Sequence, residues 1–230
     1  MQDRTAGNLG RRALLGALRF VVFLGLLIFL PAGSLGYWQG WLFWINFSAC
    51  MAAITLYFLR HDRALIERRM NAGPAAEREA SQKRIQVFAS IFGCSIFVVS
   101  ALDHRFGWSI VPTSTVIVGN GLVALGFLMV FCVFRENSFA SAIVEVGADQ
   151  KVISTGPYAL VRHPMYASAL VLVIGAPLAL GSWWGLLTIV PMLAILVLRL
   201  LDEEQYLARN LAGYEDYCRK VRYRLVPGVW

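Results

Sequence analysis

The fold is decided by residues 166–201, YASALVLVIGAPLALGSWWGLLTIVPMLAILVLRLL, a long stretch in which a single residue is charged. A helix needs roughly 20 apolar residues to cross a bilayer core about 30 Å thick, so this stretch is too long for one span. Gly175, Pro177, Gly181 and Ser182 interrupt it near its middle, and Gly and Pro commonly mark turns. The stretch therefore predicts a helical hairpin with a short first arm.

Four further apolar stretches precede the hairpin. They cover residues 13–30, 37–59, 85–102 and 112–134, and each is close to the length of one span. Hydrophobic residues make up 58% of the 230 positions and charged residues 15%, outside the usual balance of water-soluble domains. We therefore predict an all-α integral membrane protein with four transmembrane helices, a C-terminal helical hairpin (five to six spans in all) and a cytoplasmic amphipathic tail helix.

A single membrane domain is predicted for residues 1–230, because no repeat, low-complexity tract or soluble domain is visible. The first apolar stretch also has a second interpretation. Arg11 and Arg12 precede an apolar run that ends at Pro31, as in a signal peptide. The run is long for a signal peptide, which favours a signal anchor.

Basic residues predict the orientation, because loops rich in Lys and Arg stay in the cytoplasm. Seven Lys and Arg residues lie between positions 60 and 84, whereas the loops at 31–36 and 103–111 contain Arg105 alone. Counting the spans alternately places both termini in the cytoplasm, with the protein in the inner or plasma membrane if it is bacterial. The net charge of +7 then follows mostly from topology, and no nucleic acid partner is needed to explain it.

The cysteines give no sign of a disulfide or metal framework. They are scattered along the chain without metal-ligand spacing, at Cys50, Cys94, Cys132 and Cys218. We expect neither disulfides nor a metal site.

Polar residues concentrate on both sides of the hairpin. Arg162 and His163 precede its first arm, and Glu203 and Glu204 follow its second arm. The hairpin should bring these segments together. Pro164 disfavours helical geometry at the residue before it, so the basic pair is expected on irregular backbone, which at membrane depth must be covered by protein or line a polar cavity.

A cavity with bases on one wall and a carboxylate on the other suits a zwitterion such as an amino acid end group. In a continuous helix Glu203 and Glu204 point about 100° apart, so one of them is expected to face the ligand. We assign the ligand's carboxylate to Arg162 and His163, and its ammonium to Glu204 or, failing that, Glu203.

Each element also has a simpler interpretation when taken alone. Arg162 can be an ordinary positive-inside anchor, and His163 can be a packing residue. The acidic segment can be a solvated helix face with ion pairs to Arg199 and Arg209. Their joint occurrence around one hairpin favours a site.

The chain resembles the isoprenylcysteine carboxyl methyltransferase and phospholipid methyltransferase superfamily. The resemblance rests on Gly-Pro-Tyr at 156–158, Val-Arg-His-Pro-Met-Tyr at 161–166, Asp-Glu-Glu at 202–204 and the closing stretch 214–227, and it covers roughly residues 135–230. It implies an S-adenosylmethionine-dependent methyltransferase whose cofactor lies between the hairpin and the tail at the cytoplasmic membrane face.

The resemblance also implies roles for individual residues. The residues expected to bind the cofactor are Gly156, Pro157, Tyr158, Val161, His163, Pro164, Tyr166, Glu203, Glu204 and Tyr214. The residues expected to act in catalysis or to contact the acceptor are Arg162, Asn137, Arg219 and Arg222. The acceptor is expected to be a membrane lipid or a lipidated small molecule or peptide, with a carboxylate as in a prenylcysteine.

Two other classes of function stay open at this point. Residues 217–227 also resemble the C-terminus of membrane sterol-type reductases, which use NADPH. A non-enzymatic membrane scaffold would bind neither cofactor. The identity of the cofactor therefore separates the three interpretations.

Overall fold

The computed structural model describes residues 2–70, 72–77, 79–144, 146 and 150–230, with side chains described from residue 8 onward. The described residues form helices and loops and contain no strand. The helices are α1 (Gln2–Ala32), α2 (Trp38–His61), α3 (Arg63–Met70), α4 (Ala80–Phe106), α5 (Thr113–Glu136), α6 (Pro164–Ala179), α7 (Trp184–Leu187), α8 (Ile189–Asn210) and α9 (Tyr214–Lys220), with a short 3-10 helix at Gly156–Ala159.

Five segments of the described chain are long and apolar enough to cross a membrane. They are Asn8–Ala32, Trp38–His61, Ala80–Phe106, Thr113–Glu136 and Trp184–Asn210, and the apolar helix α6 is shorter. Large apolar side chains are exposed along these helices, as expected for surfaces that face lipid. The prediction of an all-α integral membrane protein with a C-terminal hairpin is confirmed.

The hairpin is present, but the turn between its two arms is shorter than the sequence predicted. Helix α6 continues through Gly175 and Pro177 to Ala179, and the chain turns between Leu180 and Trp183. Gly175 does not break the helix because it serves packing: a Cβ there would lie 3.1 Å from the carbonyl oxygen of Gly119 on α5. Transmembrane helices also tolerate an internal Pro where neighbouring groups satisfy the freed backbone.

Helices α5 and α6 pack closely through glycines. A Cβ at Gly119 would overlap the backbone of Leu178 and Ala179, and a Cβ at Gly126 would lie 2.6 Å from Cγ of Leu172. Small residues allow helix backbones to approach closely inside a bilayer. This contact fixes the first arm of the hairpin against α5, and so it also fixes the position of the segment that precedes α6.

Replacing Gly119 with alanine is expected to destabilise the protein by about 1–3 kcal/mol, because overpacking a tight contact forces the backbone to shift. Gly121 is the matched control on the same helix, since a Cβ there meets no atom within 4 Å. Alanine at Gly121 should be neutral, or stabilising by up to about 1 kcal/mol through helix propensity. Equilibrium unfolding in mixed detergent micelles measures both variants, and equal stabilities would contradict the close packing.

A buried polar cluster holds the turn of the hairpin against α4. The carboxylate of Asp103, which is 1% exposed, accepts hydrogen bonds from the hydroxyls of Ser109 (2.6 Å) and Ser182 (2.5 Å). The hydroxyl of Tyr37 donates to the carbonyl of Leu180 at 2.5 Å. Because these bonds fix the turn, they also fix the relative position of the two arms at the opposite end of the hairpin.

Candidate functional site

The segment before α6 is held in an irregular conformation by the C-terminal part of the chain. The backbone N–H groups of Arg162 and His163 donate to the carbonyls of Tyr223 (2.9 Å) and Arg224 (3.0 Å). His163 has φ −125° and ψ 64°, and Pro164 begins α6 directly after it. The predicted irregular backbone is present, because proline excludes helical geometry from the residue before it.

Glu204 joins the two sides of the hairpin through three basic side chains. Its carboxylate lies 2.9 Å from Nη1 of Arg162, 3.2 Å from Nε2 of His163 and 2.8 Å from Nε of Arg224. The Glu204 side chain is only 12% exposed. The basic and acidic segments are therefore neighbours in space, as the sequence predicted, and their charges compensate one another.

Glu203 points in a different direction from Glu204. It lines a cavity at the mouth of the hairpin, whereas Glu204 does not. The hydroxyl of Tyr166 donates to Oε2 of Glu203, and Nε of Arg199 donates to the Tyr166 hydroxyl at 3.2 Å. The helix geometry thus separates the two carboxylates, and the one that faces the cavity is Glu203.

The cavity encloses about 220 Å³ between α3, α6, α8, α9 and the segment that follows α5. Predicted site residues that line it are Asn137, Tyr158, Arg162, His163, Pro164, Tyr166, Glu203 and Tyr214. Other described lining residues are Arg69, Phe139, Ala140, Ser141, Ala142, Ile143, Val144, Gln150, Lys151, Val152, Ile153, Met165, Arg199, Leu207, Leu211 and Tyr217.

Gly156, Pro157 and Val161 are predicted site residues that do not line the cavity but form the turn before Arg162. Gly156 has φ +56°, and a Cβ there would lie 2.7 Å from Oε2 of Glu136, so a glycine is required. The carbonyl of Pro157 accepts a backbone hydrogen bond from Val161 at 3.3 Å, which closes the turn before Arg162. In this turn the carbonyl of Tyr158 accepts a hydrogen bond from the Tyr217 hydroxyl at 2.8 Å.

Two of the predicted catalytic residues lie outside the cavity. The side chain of Arg219 is 74% exposed and forms an ion pair with Asp216 at 3.0 Å. Arg222 is exposed, and its contribution is a backbone carbonyl that accepts a hydrogen bond from Nη2 of Arg162 at 3.2 Å. Both arginines face solvent because the short helix α9 and the segment after it bury Tyr214, Tyr217 and Val221 instead.

Asn137 lies in the cavity wall and forms a hydrogen bond with Tyr158, another predicted site residue. Its Nδ2 donates to the Tyr158 hydroxyl at 2.9 Å, and its Oδ1 accepts from the Phe139 backbone at 2.9 Å. Burial raises the pKa of Tyr158 to about 12, while the hydrogen bond from Asn137 acts in the opposite direction. The Tyr158 hydroxyl therefore stays protonated at neutral pH.

Sequence reasoning missed a buried ion pair beside the cavity. Nη2 of Arg199 lies 2.7 Å from Oε1 of Glu77, whose side chain is 1% exposed. Nη1 of Arg199 donates to Gln86 at 2.6 Å, and the other oxygen of Glu77 accepts from the Val144 backbone at 3.2 Å. The signal was a lone arginine near the end of an apolar helix, since ionisable residues inside spans usually mark polar sites.

One buried donor beside the cavity, Nε of Arg162, has no hydrogen-bond partner among the described residues. Buried polar groups are normally paired, and a water molecule or a ligand can satisfy one that is not. Glu203 on one side and Arg162 with His163 on the other provide donors and acceptors of both charges, which fits a zwitterionic ligand.

Metal-ligand geometry is not found in the part of the chain that the structure describes. No group of three or more His, Cys, Asp or Glu side chains there could hold a metal ion. The four cysteines are free and lie apart from one another.

A comparison with protein families supports the resemblance seen in the sequence. Residues 114–213 match the family model described as phospholipid methyltransferase. All the described cavity-lining residues except Arg69, Tyr214 and Tyr217 fall within the matched residues. No curated protein matches the chain.

Proposed function

We propose that this chain, whose residues 114–213 match the phospholipid methyltransferase family model, transfers a methyl group from S-adenosylmethionine to a membrane-borne acceptor. The observation that supports this most is the cavity at the hairpin mouth, because basic and acidic side chains both line it. Acceptors of the proposed class are lipids and lipidated small molecules or peptides, including those with a carboxylate as in a prenylcysteine.

The cavity residues fit the amino acid end of the cofactor. Glu203 is assigned to the ammonium, because Glu204 is already compensated by Arg162, His163 and Arg224. Arg162 and His163, which line the cavity, are assigned to the carboxylate. The enclosed volume is below the roughly 300–1,000 Å³ of typical ligand pockets, so it suits this end of the molecule better than the whole of it.

When bound, S-adenosylmethionine supplies an electrophilic methyl group on a sulfonium. The protein's own residues supply position and a dry environment. Leu207 and Leu211 line the tail side of the cavity with apolar side chains. A site with little water favours a reaction in which charge disperses, and a fixed acceptor geometry removes much of the entropic cost.

The cavity is proposed to face the cytoplasm, with both termini on the same side. In a background without native cysteines, cysteines introduced at Ala75 and Gly228 should react with an impermeant reagent only after the membrane is opened. A cysteine at Ile110, which is 94% exposed, should react in intact cells. The reverse labelling pattern would contradict the orientation derived from the basic loops.

Calorimetry on the purified chain in nanodiscs tests the proposed function. S-adenosylmethionine, or its demethylated product, is expected to bind, and NADPH is not. Tight binding of NADPH without any response to the methyl donor would support the reductase interpretation instead. No binding of either cofactor would favour a scaffold.

A further inference from the structure

Arg69 lies in the cavity wall although it is outside the residues that match the methyltransferase family model. It belongs to the short helix α3, which follows the second membrane span. Its Nη1 donates to the carbonyl of Ser141 at 2.9 Å, and its guanidinium lies 5.1 Å from the ring centroid of Phe134. These contacts hold the Arg69 side chain in the wall of the cavity.

The charge of Arg69 is not compensated by any carboxylate that the structure describes. Arg162 is paired with Glu204 and Arg199 with Glu77, but no described acidic oxygen lies within ion-pair distance of Arg69. Burial and the nearby Arg199 both lower the pKa of Arg69, yet an arginine side chain remains charged in proteins. A cation in this position favours an anion in the cavity, because a partly buried charge without a counter-ion is costly.

A second donor lies on the same wall. The Tyr158 hydroxyl accepts its hydrogen bond from Asn137, so its own proton remains available for a ligand. The charge of Arg69 acts on Tyr158, since it is one of the influences that lower the Tyr158 pKa against the larger effect of burial. A guanidinium and a phenol together match an oxyanion with several acceptor oxygens.

An apolar cluster adjoins this wall. Phe58, Leu65, Ile66 and Phe134 form a buried cluster, against which Ala140, Met165 and Met70 pack. Ala140 and Met165 also line the cavity. This cluster is packed core, so it holds α3, and with it Arg69, in place beside the cavity.

We infer that Arg69, with the hydroxyl of Tyr158, binds the anionic group of the methyl acceptor. This inference rests on the proposed function, because it assigns a substrate class to the same site. Arg69 is then a residue that determines which acceptors bind, separate from the residues that hold the cofactor.

Calorimetry that measures the affinity of the chain in nanodiscs for octyl phosphate tests this assignment. Octanol serves as the uncharged probe, and empty nanodiscs serve as the reference. Arg69→Gln is expected to weaken octyl phosphate binding by roughly 30-fold or more, since it removes a charged partner from a hydrogen-bonded anion. Arg63→Gln is the matched control, because Arg63 is an exposed residue of the same helix. The affinity of S-adenosylmethionine should change by less than about twofold in either variant.

Two outcomes would overturn the assignment. Octyl phosphate that binds wild type and Arg69→Gln equally would mean that the anion does not contact Arg69. A loss of cofactor affinity in Arg69→Gln, with an unchanged circular dichroism spectrum, would assign Arg69 to the cofactor's carboxylate. A wild-type chain that binds octyl phosphate but neither S-adenosylmethionine nor its product would contradict the proposed function and leave the anion site supported.

A second variant covers the case in which Arg69→Gln fails to fold. Arg69→Lys keeps the charge and loses the planar fork, so octyl phosphate should bind within about tenfold of wild type. If a folded Arg69→Lys lost binding completely, the charge would not be what the anion recognises, and the assignment would be wrong.

Discussion

Glu203→Gln is expected to lower the affinity for S-adenosylmethionine by roughly 30- to 4,000-fold, because truncating one partner of a buried hydrogen-bonded charge pair costs about 2–5 kcal/mol. Glu203 is the carboxylate of the acidic segment that lines the cavity. Glutamine preserves the size of the side chain and can still accept a hydrogen bond from Tyr166. The variant therefore removes the charge and little else.

Calorimetry in nanodiscs measures this affinity, with Glu215→Gln as the matched control. Glu215 is an exposed residue of α9 outside the cavity, so its variant should bind the cofactor as wild type does. A Glu203→Gln protein that is folded and binds the cofactor normally would show that Glu203 does not contact the ammonium.

Arg199→Met is expected to destabilise the protein by about 3–5 kcal/mol, because it leaves a buried carboxylate without a counter-ion. Glu77, the partner of Arg199, is almost completely buried. The same variant also removes the hydrogen bonds to Gln86 and Tyr166. Equilibrium unfolding in mixed detergent micelles measures the change.

Two further variants test whether the loss of stability comes from breaking the buried ion pair or from removing any arginine. Arg219→Met breaks an exposed pair with Asp216 and should cost at most about 1 kcal/mol. The double variant Arg199→Met with Glu77→Leu should regain a large part of the lost stability, since no uncompensated charge remains. If Arg199→Met and Arg219→Met were equally stable, the buried pair would not be a structural element.

The parts of the site that lie at the two ends of the hairpin could be predicted from the sequence. A hairpin that leaves and re-enters at one membrane face must bring residues 162–163 and residues 203–204 together. The separation of Glu203 from Glu204 followed from helix geometry alone. Which of the two faces the cavity could not be obtained from a pattern, and Arg224, a further partner of Glu204, is brought to it only by the fold of the tail.

The contributions of the N-terminal half could not be predicted, because they depend on contacts between distant parts of the chain. Arg69 was counted among the basic residues of a cytoplasmic loop, and only the packing of α3 places it in the cavity wall. Glu77 is an ordinary loop residue until Arg199 pairs with it. Gly175 was interpreted as a helix breaker, although its role is to let α6 approach α5.

Transfer of a labelled methyl group tests most directly whether this chain methylates a membrane acceptor through the cavity that Glu203 lines. Nanodiscs that contain wild-type protein and membrane lipid extract can be incubated with S-adenosylmethionine labelled in its methyl group, and the extracted lipids analysed by mass spectrometry. We predict label in an amphiphile with wild-type protein and with Glu215→Gln, and a strong reduction with Glu203→Gln. Equal labelling with Glu203→Gln and wild-type protein, or labelling with neither over a broad range of extracts and cofactor concentrations, would contradict the account.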